Sequence, residues 1–254
     1  MKSVVLALSL LLANAAASLA LADVLIVADE FPAMQALANR LKNEEHLDSQ
    51  VVAQKEMPTN LVSFSAVVVY IHGALSPRAE DALIDYTREG GKLVLLHHSI
   101  SSGKRQNAHW FPFLGIRLPE GDVKQGGYKW IEGVVLDFVN LNLNHFIMTN
   151  RLSYPTRIAY QSTNAPAGDG LLPGFALRDS EVYLNHVHTE SRTLLMGLKY
   201  ADARTGTTYV QDRAGWIKPA GKGWIIYLMP GHTAQEFEHA TYGRIVLNAV
   251  IFHP

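Results

Sequence analysis

The sequence predicts an α/β fold: a doubly wound, mostly parallel sheet with helices on both faces and an inserted loop/β region. Three observations predict it. Short β-branched and aliphatic runs alternate with segments of helical periodicity, as crossover units require. One such run, residues 93–96, is apolar throughout, as expected of a parallel strand covered on both faces; it lies between Gly90-Gly91 and the polar tip His97-His98-Ser99. The chain closes on another apolar run, residues 224–229, followed by an amphipathic helical pattern at 237–252.

Each element follows from local pattern. Residues 23–28 (DVLIVA) form a compact apolar strand. Met34, Leu37, Ala38 and Leu41 then recur at helical spacing across 31–46, with Pro32 in the first turn, where its missing N–H costs nothing. Residues 50–53 read as a short strand, and Pro58-Thr59 opens a turn in the connector after it. Residues 65–71 (SAVVVYI) form a third buried strand, closed by His72-Gly73. Ser76 and Pro77 supply an N-cap and a first helical residue, and Ala79, Leu83, Ile84 and Tyr86 share one face. Gly90-Gly91 ends that helix and leads into the strand at 93–96, whose carboxyl end exposes two imidazoles and a hydroxyl. In open α/β sheets that edge is where ligands bind.

Beyond Ser99 the alternation breaks. Residues 101–107 are polar, 109–114 (HWFPFL) are aromatic, and 115–127 are rich in turn formers. Residues 130–135 read as a strand, 139–146 as either a strand or a helical turn, and 164–174 as a Pro/Gly/Asp-rich loop. The whole stretch 101–178 is expected to be an insertion over the sheet edge. Residues 179–188 alternate, 193–199 read as a strand, and 218–223 (KPAGKG) as a turn before the final strand. Tyr242, Ile245, Val246, Ala249 and Val250 give the closing helix its apolar face.

Composition bounds the function. The chain has 254 residues, a net charge of −1, 11 histidines and no cysteine. A near-neutral chain offers no electrostatic case for nucleic acid or an anionic membrane. Without cysteine there is no disulfide, thiolate nucleophile or Cys-type zinc site. Lys2, the apolar segment 4–12 and Ala20-Leu21-Ala22 read as a signal peptide over 1–22, which predicts a periplasmic or secreted protein with one domain at 23–254. The apolar segment is short of the ~20 residues a membrane span needs, so no span is expected after cleavage. A homo-oligomer is compatible with this composition.

Three places can carry chemistry. His97-His98-Ser99 ends a strand as a hydrolase elbow would, but lacks the flanking glycines that frame such a nucleophile, so Ser99 reads more readily as a cap for a backbone group. His186 and His188, two apart on a strand, share a face and are candidate ligands for a divalent metal that still needs a third ligand. His232, after Gly231, sits at the same sheet edge as His97 and His98 if the two strands are parallel, and histidine is the side chain best matched to proton transfer near neutral pH. Trp110, Phe111, Phe113, Tyr128, Trp130 and Trp216 are core residues or a wall on which a sugar stacks. Gly221-Lys222-Gly223 is no phosphate loop, and no dinucleotide fingerprint follows the first strand.

Four stretches carry a resemblance: residues 90–97 (GGKLVLLH), Glu181-Val182-Tyr183, Gly215-Trp216, and the run from 221 to 227 (GKGWIIY) leading to Gly231-His232. In their order and spacing they resemble the ThuA-like (trehalose utilisation) family, within the class I glutamine-amidotransferase-like superfamily. The resemblance implies a flavodoxin-like sheet and a link to sugar catabolism, including processing of 3-keto disaccharides. His97, Glu181, Tyr183, Trp216 and His232 match family positions. Superfamily amidotransferases carry a cysteine at the elbow; His98-Ser99 stands there instead, so glutamine hydrolysis is not expected. The implied function is acid/base processing of a small carbohydrate or keto-glycoside. His97, His232 and Glu181 would be catalytic, and Tyr183, Trp216, His98 and Ser99 would contact substrate, with or without a divalent metal on His186 and His188. The alternative is a non-catalytic periplasmic sugar-binding or envelope-associated protein of the same fold.

Overall fold

The computed structural model describes residues 23–253; the expected signal peptide lies outside them. The strands are β1 (Val24–Ala28), β2 (Ser49–Val52), β3 (Ala66–Tyr70), β4 (Lys92–Leu96), β5 (Ile116–Arg117), β6 (Lys129–Asn140), β7 (Thr156–Ala159), β8 (Leu171–Leu184), β9 (Val187–His188), β10 (Thr193–Asp202), β11 (Thr207–Ala220) and β12 (Gly223–Leu228). The helices are α1 (Phe31–Glu45), α2 (Pro77–Arg88), α3 (Trp110–Leu114), α4 (Phe146–Thr149), α5 (Ala234–Glu238) and α6 (Ala240–Ile251). None of these helices is long and apolar enough to cross a membrane.

Ten strands form one sheet in the order β2-β1-β3-β4-β12-β11-β10-β6-β8-β7, and β5 pairs with β9 apart from it. The pairings β2/β1, β1/β3, β3/β4 and β4/β12 are parallel. The other five are antiparallel. The expectation of a mostly parallel sheet is therefore corrected: the sheet is mixed, parallel in one half and antiparallel in the other. β1, β3 and β4 are buried at every position, because helices cover them.

Nor is the middle region an insertion over the edge. It continues the sheet by hydrogen bonding outward from β12. A two-residue turn at Gly221-Lys222 reverses the chain between paired Ala220 and Gly223, which leaves only an antiparallel partner available. Gly221 has φ +64°, and a Cβ there would lie 2.6 Å from the Arg88 backbone, so glycine is required. The closing helix is also divided. α5 and α6 break at His239, whose Nδ1 accepts from the Tyr242 N–H at 3.3 Å and caps the second helix.

Candidate metal centre

β4 delivers the first two histidines. The strand stops at Leu96, and His97 then adopts φ +41°. A non-glycine residue held in the left-handed region costs on the order of 1–3 kcal/mol and persists only where the surroundings over-determine it. They do so here. Ser99 Oγ donates to the carbonyls of Leu96 (2.9 Å) and Val69 (3.2 Å), and Trp110 Nε1 donates to Ser99 O at 2.8 Å. The buried Lys104 ammonium lies 2.6–3.3 Å from the carbonyls of Ile71, His72, Gly73 and His98, tying the carboxyl ends of β3 and β4 together.

β8 delivers Glu181 and Tyr183, two apart and therefore on one face. The turn after β12 delivers His232, where Glu236 Oε2 accepts from the N–H groups of Gly231 (2.5 Å) and His232 (3.1 Å). One ligating atom from each of His97, His98, Glu181 and His232 lies within 4.8 Å of every other. This is the one group of three or more potential metal ligands among the described residues.

Hydrogen bonding sets the tautomers. His97 Nδ1 sits 2.6 Å from the Met229 carbonyl, so Nδ1 carries the proton and Nε2 keeps its lone pair. Tyr183 donates its hydroxyl proton to Glu181 Oε2 at 2.6 Å. His98 Nδ1, 2.7 Å from the same hydroxyl oxygen, must then be the donor, leaving His98 Nε2 bare as well. Both Nε2 atoms and His232 Nδ1 are buried without a hydrogen-bond partner. His97 Nε2 lies 2.9 Å from Glu181 Oε2, but off the axis a hydrogen bond needs. The His232 Nδ1 to Glu181 Oε2 distance is 3.7 Å.

Burial, reinforced by the neighbouring basic side chains, holds His98 far below the ordinary imidazole range, so it is neutral. Burial raises the Glu181 carboxyl, but the close approach of His97 and the Tyr183 hydrogen bond lower it further than burial raises it, and it stays ionised. Tyr183 is pushed well up by burial and by Glu181, and remains a donor. The cluster therefore offers three imidazoles, that of His98 neutral, and one carboxylate.

A cleft of about 170 Å³ opens onto it, lined by His72, His98, Ser101, Ser102, Gly103, Trp130, Glu132, Glu181, Tyr183 and His232. His72, just beyond β3, lies against His98 with ring centroids 3.4 Å apart and planes tilted by 36°. Its Nδ1 lies 3.5 Å from Asp29 Oδ1, and the Asp29 hydrogen bond is the main reason its pKa is raised. The sequence reading passed over His72 as a strand terminator, although its place at a strand's carboxyl end is the signal that singled out His97. A larger cavity of about 480 Å³ lies at the opposite end of β4, around Gly90, Gly91, Lys92 and Trp224, and has no such cluster.

The other expected residues fall elsewhere. Ser99 is fully buried with its hydroxyl donated to backbone, so it neither lines the cleft nor stands as a nucleophile. Trp216 is also fully buried, under the Arg192 guanidinium 4.3 Å from its ring centroid, and does not reach the cleft. The His186 and His188 rings are neighbours, with centroids 5.4 Å apart, but gain no third ligand among the described residues. Burial, together with the charges of Arg192 and Arg213, holds both imidazoles low, and the same guanidiniums repel a cation. Among the described residues, the group of three or more that could hold a metal is His97, His98, Glu181 and His232.

Known proteins agree with the fold. A ThuA-like protein from Bacteroides uniformis superposes with TM-score 0.60 at 17% identity, covering 89% of this chain and 88% of its own. One from Parabacteroides merdae gives TM-score 0.61 at 13% identity, with coverage of 89% and 88%. A β-galactosidase from Bacillus circulans sp. alkalophilus matches 91% of this chain with 30% of its own, at TM-score 0.53 and 11% identity. No curated protein matches in sequence. The family model described as "Trehalose utilisation" matches residues 24–253, and over that span the chain belongs to the ThuA family.

Proposed function

We propose that the protein acts on a small carbohydrate or keto-glycoside by acid/base chemistry assisted by a divalent cation, outside the cytoplasm and without glutamine amidotransferase activity. One observation carries this reading: two imidazoles have their Nδ1 protons committed to other groups, and both bare Nε2 atoms are buried in a cluster with an ionised carboxylate. Outer hydrogen bonds of this kind fix metal-ligating histidines. The 2.9 Å between His97 Nε2 and Glu181 Oε2 is poor for a hydrogen bond here. It is close to the ~3 Å separating adjacent ligands on one ion with bonds near 2.1 Å. His97, His98 and Glu181 form a two-histidine, one-carboxylate set, a type that leaves positions open.

The bound ion would supply Lewis-acid polarisation of a substrate carbonyl. His232, 23% exposed in its side chain and facing the cleft, is the proton carrier. With a 3-keto glycoside, the His232 imidazole takes the proton at C2, acidified by the adjacent ketone. The C2–H electron pair forms the C1=C2 double bond, and the C1–O bond breaks. The leaving alkoxide is protonated from water or from the imidazolium, giving an enone and a free alcohol. No strong nucleophile is needed, in keeping with a cysteine-free chain whose Ser99 hydroxyl is occupied.

The test is metal content together with turnover of methyl 3-keto-α-D-glucopyranoside. Mature protein purified without chelator or affinity metal should hold about one divalent ion per chain and eliminate methanol. Metal-free protein that turns over the glycoside at the same rate would overturn the metal's role. Binding without turnover would select the sugar-binding alternative. Amino-terminal sequencing after secretion tests export, with Asp23 the expected first residue.

A further inference from the structure

We infer that the cleft carries a single-ring sugar platform, in which the Trp130 indole stacks on the apolar face of one neutral pyranoside while Glu132 accepts from its hydroxyls. The inference rests on the carbohydrate reading above and names the ligand class of the same site.

Exposure singles out Trp130. Of the four tryptophans, Trp110 and Trp216 are fully buried and Trp224 is partly covered, whereas Trp130 is 45% exposed. A tryptophan left open gives up much of the burial that normally makes it stabilising, a cost best explained where a ligand completes the contact. Trp130 also stands where a ligand must pass, in the wall of the cleft beside His98, Glu181 and His232.

Sheet geometry aims it there. Trp130 is the register partner of Tyr183, and directly opposed residues in an antiparallel pair project from the same face. Tyr183 is the residue that orients Glu181 and His98, so the indole shares their face. Glu132, two residues on, also lines the cleft. The register shifts immediately after Ile131, where Gly133 takes φ +67°, and a bulge of this kind bends and re-aims a strand beside a site. Glu132 has no hydrogen-bond or ion-pair partner among the described residues.

Chemistry narrows the ligand. A pyranose presents C–H groups on one face and hydroxyls at its edge, matching an indole beside a free carboxylate. No lysine or arginine lines the cleft, while Glu132 and Glu181 do. On the Trp130 side of the cleft the Glu132 carboxylate repels a phosphate or uronate group and favours neutral glycosides there. At about 170 Å³ the cleft is below the ~300 Å³ lower end of ordinary small-molecule sites, which suits one ring with its substituent directed outward.

The experiment uses metal-loaded mature protein and three probes: methyl α-D-glucopyranoside, its 3-keto derivative, and glucose 6-phosphate. The neutral glycosides should protect the exposed tryptophan from acrylamide quenching, and Trp130→Phe should abolish that protected component. Trp130→Ala should weaken the Kd for the neutral glycosides about tenfold at unchanged metal content, Trp130→Phe should restore most of the affinity, and Glu132→Gln should weaken it less. Wild-type Kd values in Trp130→Ala would overturn the platform and leave the catalytic reading standing. No binding of either neutral glycoside to the wild type would overturn both. Glucose 6-phosphate bound as tightly as the neutral probes would overturn the assigned ligand class.

Discussion

At the scale of the residue, the proposed function assigns His97, His98 and Glu181 to hold an ion and His232 to move a proton, and substitution should separate the two roles. His97→Ala and Glu181→Gln should each lose the divalent ion, because each removes a buried ligand whose partners remain. His232→Ala should keep the ion and lose on the order of 10²–10⁴ in rate, the usual range for a lost acid/base group; metal analysis alongside kinetics checks the split. Ser99→Ala removes two hydrogen bonds to backbone carbonyls and should cost about 1 kcal/mol of stability with little change in rate. A serine-directed covalent probe should leave Ser99 unlabelled. His97 and His232 were legible in the sequence because each follows a strand of recognisable pattern, and Glu181 and Tyr183 through the family resemblance. His186 and His188 were singled out as a metal pair because spacing on one strand reveals a shared face and nothing of the charges around it. Arg192 and Arg213 reach those imidazoles from other parts of the chain, and only folding shows that a cation there is repelled.

At the scale of the element, the site depends on how β3 and β4 end. Both strands stop at the same edge, and the Lys104 ammonium gathers carbonyls from the two segments that follow. Lys104→Met should therefore leave several buried carbonyls unpaired. We expect a loss of about 1–3 kcal/mol in urea unfolding, with weakened metal binding as His72 and His98 lose their common anchor. Unchanged unfolding and unchanged metal affinity would show that the anchor is dispensable. The parallel half of the sheet was readable because β1, β3 and β4 are short and apolar at every position, and a capped helix separates β3 from β4. The antiparallel half was not. β6, β8, β10 and β11 expose part of one face, carry register shifts, and mix exposed and buried residues along their length. Their alternation marks short strand-like runs at 130–135, 179–188 and 193–199 but gives neither their full length nor their pairing. Glu181 and Tyr183 could thus be matched to a motif, while the strand that aims them, and the Trp130 opposite, could not be placed.

At the scale of the whole molecule, the first and last helices are joined by charge, and this joint should respond to acid. Arg244 on α6 is buried and donates to Glu45 Oε1 at the end of α1 at 2.5 Å; Arg151, beyond α4, pairs with the same carboxylate. Asn248, one turn along α6, donates to the carbonyls of Ile147 (3.1 Å) and Asn150 (2.8 Å), so α6 also grips the segment around α4. Burial alone would raise the Glu45 carboxyl, but the hydrogen bonds from Arg151 and Arg244 outweigh it and hold the pKa below the ordinary 4.5. A carboxylate whose pKa is depressed by folding stabilises the fold above its unfolded pKa, and that contribution is lost as pH falls through the folded value. The joint should accordingly be at full strength above about pH 4.5 and weaken only below it. Glu45→Gln cannot ionise and should cost about 1.5–3 kcal/mol at pH 7, the usual worth of hydrogen bonds to a charged group. Since the wild type itself loses the charge in acid, the two proteins should converge in stability as pH falls below 4.5. Parallel unfolding curves at pH 7, 5 and 3 measure this directly. A wild-type advantage that persists undiminished at the lowest pH would mean that shape, and not ionisation of Glu45, holds α6 to α1.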